Sequence, residues 1–583
     1  MAEERVIASV ESVAEFKIKI GEDELPRTIE IVGVNVSKAV NKISAAKFIV
    51  KDGDVATNDF PLSNGILFTP GNKVEISAGS PDKQKTIFKG IIIKHSISIR
   101  GNRSGHLIVE CRHKALKATV VKRSNCFHDV TDDEAISTAL QQSGLSIDDM
   151  DIETTSVKHH EMVQYNCTDW DFAVSRAEMT GKVVLTNEDK IEIKKPAFDK
   201  KAKESFLYGA TIIELDAEMD SRNQYKAVKA SAWDMAAQSL AEAEGEEKPM
   251  PAFGNIDAAT LASVAAQEKY LLQHGGSLAT EEIQMWADAQ LLKSRMARIR
   301  GRIKFEGMST INPGDMLELH GLGDRFNGNA FVSGIRHDYN ETEGWKTQAQ
   351  FGHTPDWFID EPAVHMSKAG GLLPGSTGLH TGIVTDNEDP ESEFRVRVKI
   401  PFISADDEGI WARIALTDAG NGRGLFFRPE INDEVLVGFL SDDPRQPVVL
   451  GMLHSSALPS PLKPSNDNHQ KGYTSREKLV LLFDDDKKEI KIETPGGNKV
   501  TISDDKKGIT LEDMSGNKIE MSNSGIKISS QTAVEITATT DFKLTGANLS
   551  LAGNASLSLS GSGSSKLESS GVLELKGAMV KIN

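Results

Sequence analysis

The sequence predicts a mainly β protein of several domains that ends in a repetitive rod. Three observations carry this: strand-length apolar runs between turn residues open the chain, a compact five-strand module follows a Gly/Pro/Ser-rich linker, and paired apolar residues recur at a regular step through the tail. A chain of 583 residues exceeds what one core organises and implies about three to five domains.

The first stretch reads as strands at Thr28–Val34, Ala46–Lys51, Lys73–Ala78, Thr86–Ser96 and His106–Arg112, each bounded by Gly, Asn, Asp or Pro. A short helix follows, with Thr131 or Asp132 as N-cap and Ala135, Ile136, Ala139 and Leu140 on its apolar face. A second helix is predicted from Thr168 to Thr180, stopped by Gly181. Strands Val183–Thr186 and Lys190–Ile193 flank an Asn-Glu-Asp turn. Residues 234–300 are rich in Ala, Glu, Gln and Leu. Ala236–Glu247 reads there as helix or exposed loop, and Thr280 starts a helix carrying Ile283, Trp286 and Ala287. Strand character returns at Arg300–Glu306, Met316–His320, Asn329–Arg336 and Trp345–Gly352.

Met366–Gly378 is a linker by composition. Beyond it, strands at Thr381–Thr385, Phe394–Ile400, Gly409–Ala415, Glu434–Phe439 and Pro447–Leu450 make a module the size of a small Greek-key barrel of the OB type. A second linker, Ala457–Gln470, carries Pro459, Pro461 and Pro464. The domain reading is therefore 1–365, a linker at 366–379, a barrel at 380–456, a linker leading into the tail at 457–487, and the repeat at 488–583.

The repeat consists of apolar pairs at i and i+2: Ile490/Ile492, Val500/Ile502, Ile509/Leu511, Ile519/Met521, Ile526/Ile528, Val534/Ile536, Phe542/Leu544, Leu549/Leu551, Leu557/Leu559, a weak step ending at Leu567, Leu573/Leu575 and Val580/Ile582. Such spacing places two side chains on one face of a short strand. Gly, Ser, Asn, Asp and Lys between pairs suit turns. One strand buries too little to stand alone, whereas a stack buries a continuous narrow core. Three intertwined chains or a single-chain β-helix with three steps per coil satisfies the pattern, and the small Ser/Gly/Ala-rich later repeats favour the slim trimer. At about 4.8 Å per strand the stack is roughly 55–60 Å long.

Composition excludes several functions. A net charge of −18 argues against a nucleic-acid partner. No stretch approaches the roughly 20 apolar residues of a membrane span. The N-terminus lacks the apolar run of a signal peptide, so synthesis in the cytoplasm is expected. Cys111, Cys126 and Cys167 are spaced for neither a disulfide framework nor a zinc site and read as buried free thiols. HExxH, GxSxG, GxxxxGK[ST] and GxGxxG are all absent, and Gly321, Gly323 and Gly328 lack dinucleotide-binding spacing. His159-His160-Glu161 reads as surface polarity, because adjacent residues of a strand point to opposite faces. Asp406–Glu408, Asp484–Asp486 and Asp504–Asp505 read as solvated turns. No enzyme activity, metal or cofactor is expected.

Arg395-Val-Arg-Val-Lys-Ile-Pro401, Trp411-Ala-Arg413, Pro429, Glu434-Val-Leu-Val-Gly-Phe439, Pro444 and Pro447-Val-Val-Leu-Gly451 occur in an order that resembles the OB module of VgrG proteins and contractile-phage tail spikes. Asp169-Trp-Asp-Phe-Ala-Val-Ser-Arg-Ala-Glu178 with Gly181, and Gly301-Arg-Ile-Lys-Phe-Glu-Gly307 with Pro313-Gly-Asp315, Phe326-Asn-Gly328 and His337, resemble the phage hub family. The resemblance implies a hub of tandem β-barrels with helical insertions, an OB barrel, and a triple-stranded intertwined β-helix in a homotrimer. It implies a structural central spike and baseplate hub of a contractile injection machine, joining the inner tube to an envelope-piercing needle. It further implies inner-tube and baseplate partners, effector cargo, passing contact with the target membrane, and a PAAR-like tip protein docked on Met579, Val580, Lys581, Ile582 and Asn583. The chain departs from some relatives: no lysozyme domain lies between barrel and needle, no effector domain follows Asn583, and no HxH stands near the end. That minimal plan suits an extracellular phage-tail-like injection system, with a VgrG of a type VI secretion system as the alternative. A polysaccharide-binding or polysaccharide-cleaving β-helix is the reading from another class, but Phe542 is the only aromatic residue after Lys488.

Overall fold

The computed structural model describes residues 15–81, 83–101, 105–234, 237–265, 268–275, 278–360 and 375–582. Most of the Met366–Gly378 linker, the N-terminal residues read for a leader, Ala236 and Asn583 lie outside them. The described residues form two units, 15–376 with 441–443, and 377–440 with 444–582.

In the first unit, strands with alternating burial assemble into one 13-stranded sheet. From one edge the order is Glu214–Met219, Ile299–Glu306, Gly344–Phe351, Gly328–Asn340, Ile31–Ala39, Lys42–Lys51, Gly105–Arg112, Lys83–Ile99, Lys73–Ser80, Glu15–Ile20 and Asp23–Glu24. Glu204–Leu207 joins through Met316–His320, which pairs with Gly328–Asn340. The period-2 pattern turns Leu107, Val109 and Cys111 inward from a single strand. They join Ile18, Val36, Phe48, Ile76 and Phe88 in one core. Ile18 and Val36 come from strands far apart in the sheet order, so this half of the sheet closes over its own apolar face. A second core, with Phe206, Ile303, Phe305, Leu317, Val332 and Phe351, fills the other half. Each such side chain contributes about 1.5–3 kcal/mol on burial. Both glycines of Gly301–Gly307 are demanded by close approach: a β-carbon at Gly301 would lie 2.2 Å from the Asp216 carbonyl oxygen, and one at Gly307 would lie 2.1 Å from the Trp345 ring.

Two lobes are inserted. In the first, the helix Asp132–Gln142 begins where the Glu134 carboxylate accepts the Thr131 backbone N–H at 3.0 Å, and Ala135, Ile136, Ala139 and Leu140 are all buried. The helix Asp169–Met179 begins where Thr168 Oγ1 accepts the Asp171 N–H at 3.1 Å and is followed by Gly181 at φ +69°. In the second lobe, Ala227–Asp234 pairs antiparallel with Ser239–Glu244 and parallel with Lys269–His274. The helix Thr280–Met296 packs Ile283, Ala287 and Leu291 against Val228, Ala230 and Ala232. Within Ala236–Glu247 the segment Ser239–Glu244 is therefore strand rather than helix or loop, which corrects the expectation there. Ala241 and Ala243 turn inward and Leu240, Glu242 and Glu244 outward, so the two-residue period and its partner strand override the helix preference of Ala and Glu.

Glu178 ties the first unit together. Its Oε1 accepts Asn41 Nδ2 at 2.9 Å and Lys293 Nζ at 2.7 Å, and its Oε2 accepts the Phe358 N–H at 2.7 Å. Lys293 also lies 5.1 Å from the centre of the Trp357 ring.

In the second unit, His380–Asp386, Val396–Lys399, Ile410–Ile414, Pro447–Met452 and Glu434–Phe439 close a five-strand barrel. Its one parallel contact joins Ile410–Ile414 to Pro447–Met452, and its core is almost entirely valine: Val384, Val396, Val398, Val435, Val437 and Val449, with Ala412. β-branched side chains suit a tightly curved sheet because they fill space close to the backbone.

Candidate functional site

The tail strands hold the most distinctive arrangement in the chain. Gln470–Thr474, Val480–Asp484, Glu489–Glu493, Lys499–Ser503, Gly508–Glu512, Lys518–Ser522 and Gly525–Ser529 form an antiparallel meander, each paired with the one before it. Register stacks the apolar pairs into two columns. Tyr473, Leu481, Ile492, Val500, Leu511, Ile519 and Ile528 are successive cross-strand neighbours. Beside them run Phe483, Ile490, Ile502, Ile509, Met521 and Ile526. Most of this face is open: Ile492 is 51% exposed and Ile526 72%. The opposite face alternates in charge along Glu493, Lys499, Glu512 and Lys518, with Lys499 Nζ 3.2 Å from Glu512. A slip of one residue would turn the apolar columns onto that charged face, so the register is strongly specified.

Two of these strands, Gln470–Thr474 and Val480–Asp484, precede the start of the repeat read from the sequence. Leu481 and Phe483 keep the i, i+2 pairing and were the signal available for them. The turns carry a second feature missed by pattern reading. Asn498 Oδ1 accepts the Met514 N–H at 3.0 Å, and Asn517 Oδ1 accepts the Gln531 N–H at 3.0 Å and the Ser530 hydroxyl at 2.7 Å. These asparagines recur at the same place in alternate hairpins and fix where the chain goes next.

After Ser529 the pairing ends. Residues 530–582 contain no strand, and no backbone-to-backbone hydrogen bond is found among them. The apolar pairs nonetheless continue: Val534, Ile536, Phe542, Leu544, Leu549, Leu551, Leu557, Leu559, Leu573 and Leu575 are each half or more exposed, as are Met579, Val580 and Ile582 near the end. The step there is seven or eight residues, having already shortened from nine or ten between Ile519 and Ile526.

Elsewhere, the residues singled out for chemistry scatter. Among the described residues, no three His, Cys, Asp or Glu side chains are grouped to hold a metal ion. Gly321 and Gly323 lie in the turn between Met316–His320 and Gly328–Asn340, a β connection rather than a strand-to-helix one. His160 is exposed beside Asp129, but His159 is buried, contrary to the surface reading. The two point oppositely along one strand, and His159 Nε2 lies 2.9 Å from Asp132 Oδ2. Arg176 Nε donates to Asp132 Oδ1 at 2.7 Å. Burial opposes charge on Asp132, yet the His159 hydrogen bond and Arg176 outweigh it and hold its pKa below the usual carboxylate value. The cysteine expectation is corrected too: Cys111 is buried, with its thiol pushed up to about 12 by burial, whereas Cys126 is exposed and Cys167 half-buried on a two-stranded ribbon with an open outer face.

Three family models match the chain: the Alg8 N-terminal domain over residues 10–341, the type VI secretion system/phage-baseplate injector OB domain over 380–454, and the phage baseplate V C-terminal trimerisation domain over 489–583. Similar curated proteins include two from Pseudomonas aeruginosa. The type VI secretion system spike protein VgrG4b is 35% identical over 102 residues, 16% of this chain and 13% of that protein. The spike protein VgrG1b is 26% identical over 200 residues, 32% of this chain and 26% of that protein. The chain thus spans about a quarter or less of these relatives' length. Among solved structures, the 43 kDa tail protein of prophage MuSo2 from Shewanella oneidensis aligns with a TM-score of 0.44 at 10% identity, covering 59% of this chain and 99% of that one. With its N-terminal match extending over more than half its length, the chain belongs to the family of the Alg8 N-terminal domain, and it carries in addition an injector-type OB domain and a baseplate V trimerisation domain like those of VgrG spike proteins.

Proposed function

We propose that this protein is the structural central spike and baseplate hub of a contractile injection machine and works as a homotrimer. One observation carries the reading. Residues 530–582 keep the apolar i, i+2 pattern, with one weak step at Leu567, but make no backbone-to-backbone hydrogen bond in their own chain among the described residues. Backbone N–H and C=O groups are obligatory bonding groups, and a strand-patterned segment in which only a few of them meet side-chain partners is built to pair elsewhere. Pairing in trans around a threefold axis satisfies them and brings the apolar pairs together. The meander at 470–529 is bonded in cis and presents one apolar sheet face per copy, which three copies close into a prism.

On this reading the first unit joins the inner tube and baseplate, and the needle carries a tip protein on Met579, Val580, Lys581, Ile582 and Asn583. The spike acts on an envelope by shape and stiffness, and its role is mechanical rather than catalytic. A type VI secretion system spike is the second reading, supported by the names of the matched Pseudomonas aeruginosa relatives. Light scattering on the full chain tests the core of the proposal. Three times the 63.4 kDa chain mass is expected. Deletion of residues 489–583 is expected to weaken the trimer, and a stable monomer of the full chain overturns the proposal.

A further inference from the structure

Four ionisable side chains meet where the two inserted lobes of the first unit touch. His159 comes from the strand Lys158–Thr168, Asp132 and Arg176 from the two helices of the first lobe, and Glu282 from the opening turn of the second lobe's helix Thr280–Met296. His159 and Asp132 are buried, and the side chains of Glu282 and Arg176 are only 14% and 20% exposed, so the group is largely shielded from bulk water.

The imidazole stands between two carboxylates, one from each lobe. Its Nε2 lies 2.9 Å from Asp132 Oδ2, and its Nδ1 lies 3.7 Å from Glu282 Oε1. Arg176 Nη2 approaches Nε2 at 3.3 Å, and the shorter contact to Asp132 marks Nε2 as a donor. A neutral ring then turns the lone pair of Nδ1 towards Glu282, whereas a protonated ring offers an N–H on each side. Both acids sit at helix N-termini, which favour negative charge: Asp132 opens the helix Asp132–Gln142, and Glu282 lies in the first turn of Thr280–Met296. One guanidinium serves them both, since Arg176 Nε is 2.7 Å from Asp132 Oδ1 and Nη2 is 3.7 Å from Glu282 Oε1. Two carboxylates therefore divide one fixed cation, and a positive charge on His159 balances the second.

The next charges are committed elsewhere. Lys182 Nζ donates to the carbonyls of Glu153 and Thr154, and the Asp133 carboxylate accepts the hydroxyls of Thr131 and Thr155. The lobes also meet through Glu178 and Lys293, a carboxylate against an ammonium. Of the groups named at this joint, only an imidazole ordinarily changes charge between about pH 5 and 8.

We infer that His159 is an acid-closed latch between the two inserted lobes. The protonated ring bridges Asp132 of the first lobe to Glu282 of the second, and its deprotonation frees the start of the helix Thr280–Met296. Protonation strengthens this contact, so closure is full in mild acid and is lost as pH rises. That is the opposite sense to a histidine buried in its neutral form.

Hydrogen exchange read by mass spectrometry on the full chain tests this, at about pH 5.5 and about pH 8, with the intrinsic pH dependence of amide exchange divided out. Peptides covering 280–287 should be protected about tenfold more strongly in mild acid, the factor that one charge-assisted contact supplies. Peptides covering the barrel strand Val396–Lys399 should show no such gain. His159→Gln should abolish the difference at 280–287. Glu282→Gln, at the lobe surface, should abolish it too while leaving the first lobe's core untouched. Equal protection of 280–287 at both pH values in the unaltered chain overturns the inference. A difference that persists in either variant, or that appears equally in the barrel strand, overturns it as well, because another group would then carry it.

Discussion

Individual side chains decide how firmly the first unit holds together. Glu178 and Lys293 are both buried, so removing one partner strands a charge. Glu178→Ala should cost about 3–5 kcal/mol. A second change, Lys293→Met, should recover much of that loss by removing the stranded ammonium, which urea unfolding of the two variants would measure. His337 is buried and His353 partly buried, and both are held neutral, with pKa values lowered by desolvation from 6.5 to about 3. Below pH 6.5 the unfolded chain takes up protons at these positions that the folded chain does not. Stability is therefore full above that pH and falls as pH drops, by about 1.4 kcal/mol per pH unit for each histidine. The urea midpoint of the first unit should be clearly lower at pH 5 than at pH 7, and equal midpoints would refute this account. Neither the Glu178 contacts nor the burial of His159 was readable in the sequence. A charged residue in an amphipathic helix looks the same whether it meets solvent or a partner 115 residues away, as Glu178 and Lys293 do.

Among the elements, strands were legible wherever a pattern of two stood clear. The barrel strands and the meander from Glu489 onward follow directly from alternation and turn residues, as do the two capped helices. Ser239–Glu244 was not legible, because its composition favours helix and it is an edge strand with a single strand partner, Ala227–Asp234. At this scale Leu551→Asp is informative. Placed at the needle axis, it buries three unpaired carboxylates at one level and should destabilise the needle by several kcal/mol, on the order of what an uncompensated buried charge costs. Unchanged melting of the needle in the full protein would reject the assigned register. Asn517→Ala removes two hydrogen bonds that direct the chain as it leaves the meander. It should lower needle stability by about 1–2 kcal/mol, seen as an earlier needle transition on heating.

At the scale of the whole molecule, the meander and the segment after it answer differently to assembly. Hydrogen exchange should find amides of 489–529 protected in both dissociated and assembled chains, because their partners are in cis. Amides of 530–582 should be protected only in the assembly. Protection of 530–582 in a monomer would show that the pattern is satisfied within one chain.

The sequence by itself determined the mainly β class, the closed barrel, the apolar pairs and their spacing, because each follows from local periodicity and turn chemistry. Periodicity says which side chains share a face but not what covers that face. Only the tertiary structure decided that pairs up to Ile528 stack antiparallel within one chain, and that pairs from Val534 find no partner there among the described residues. A short strand's hydrogen-bond partner is set by chain reversal at its ends. The turns at Asn498 and Asn517 make that reversal, and beyond Gln531 no such clip repeats among the described residues.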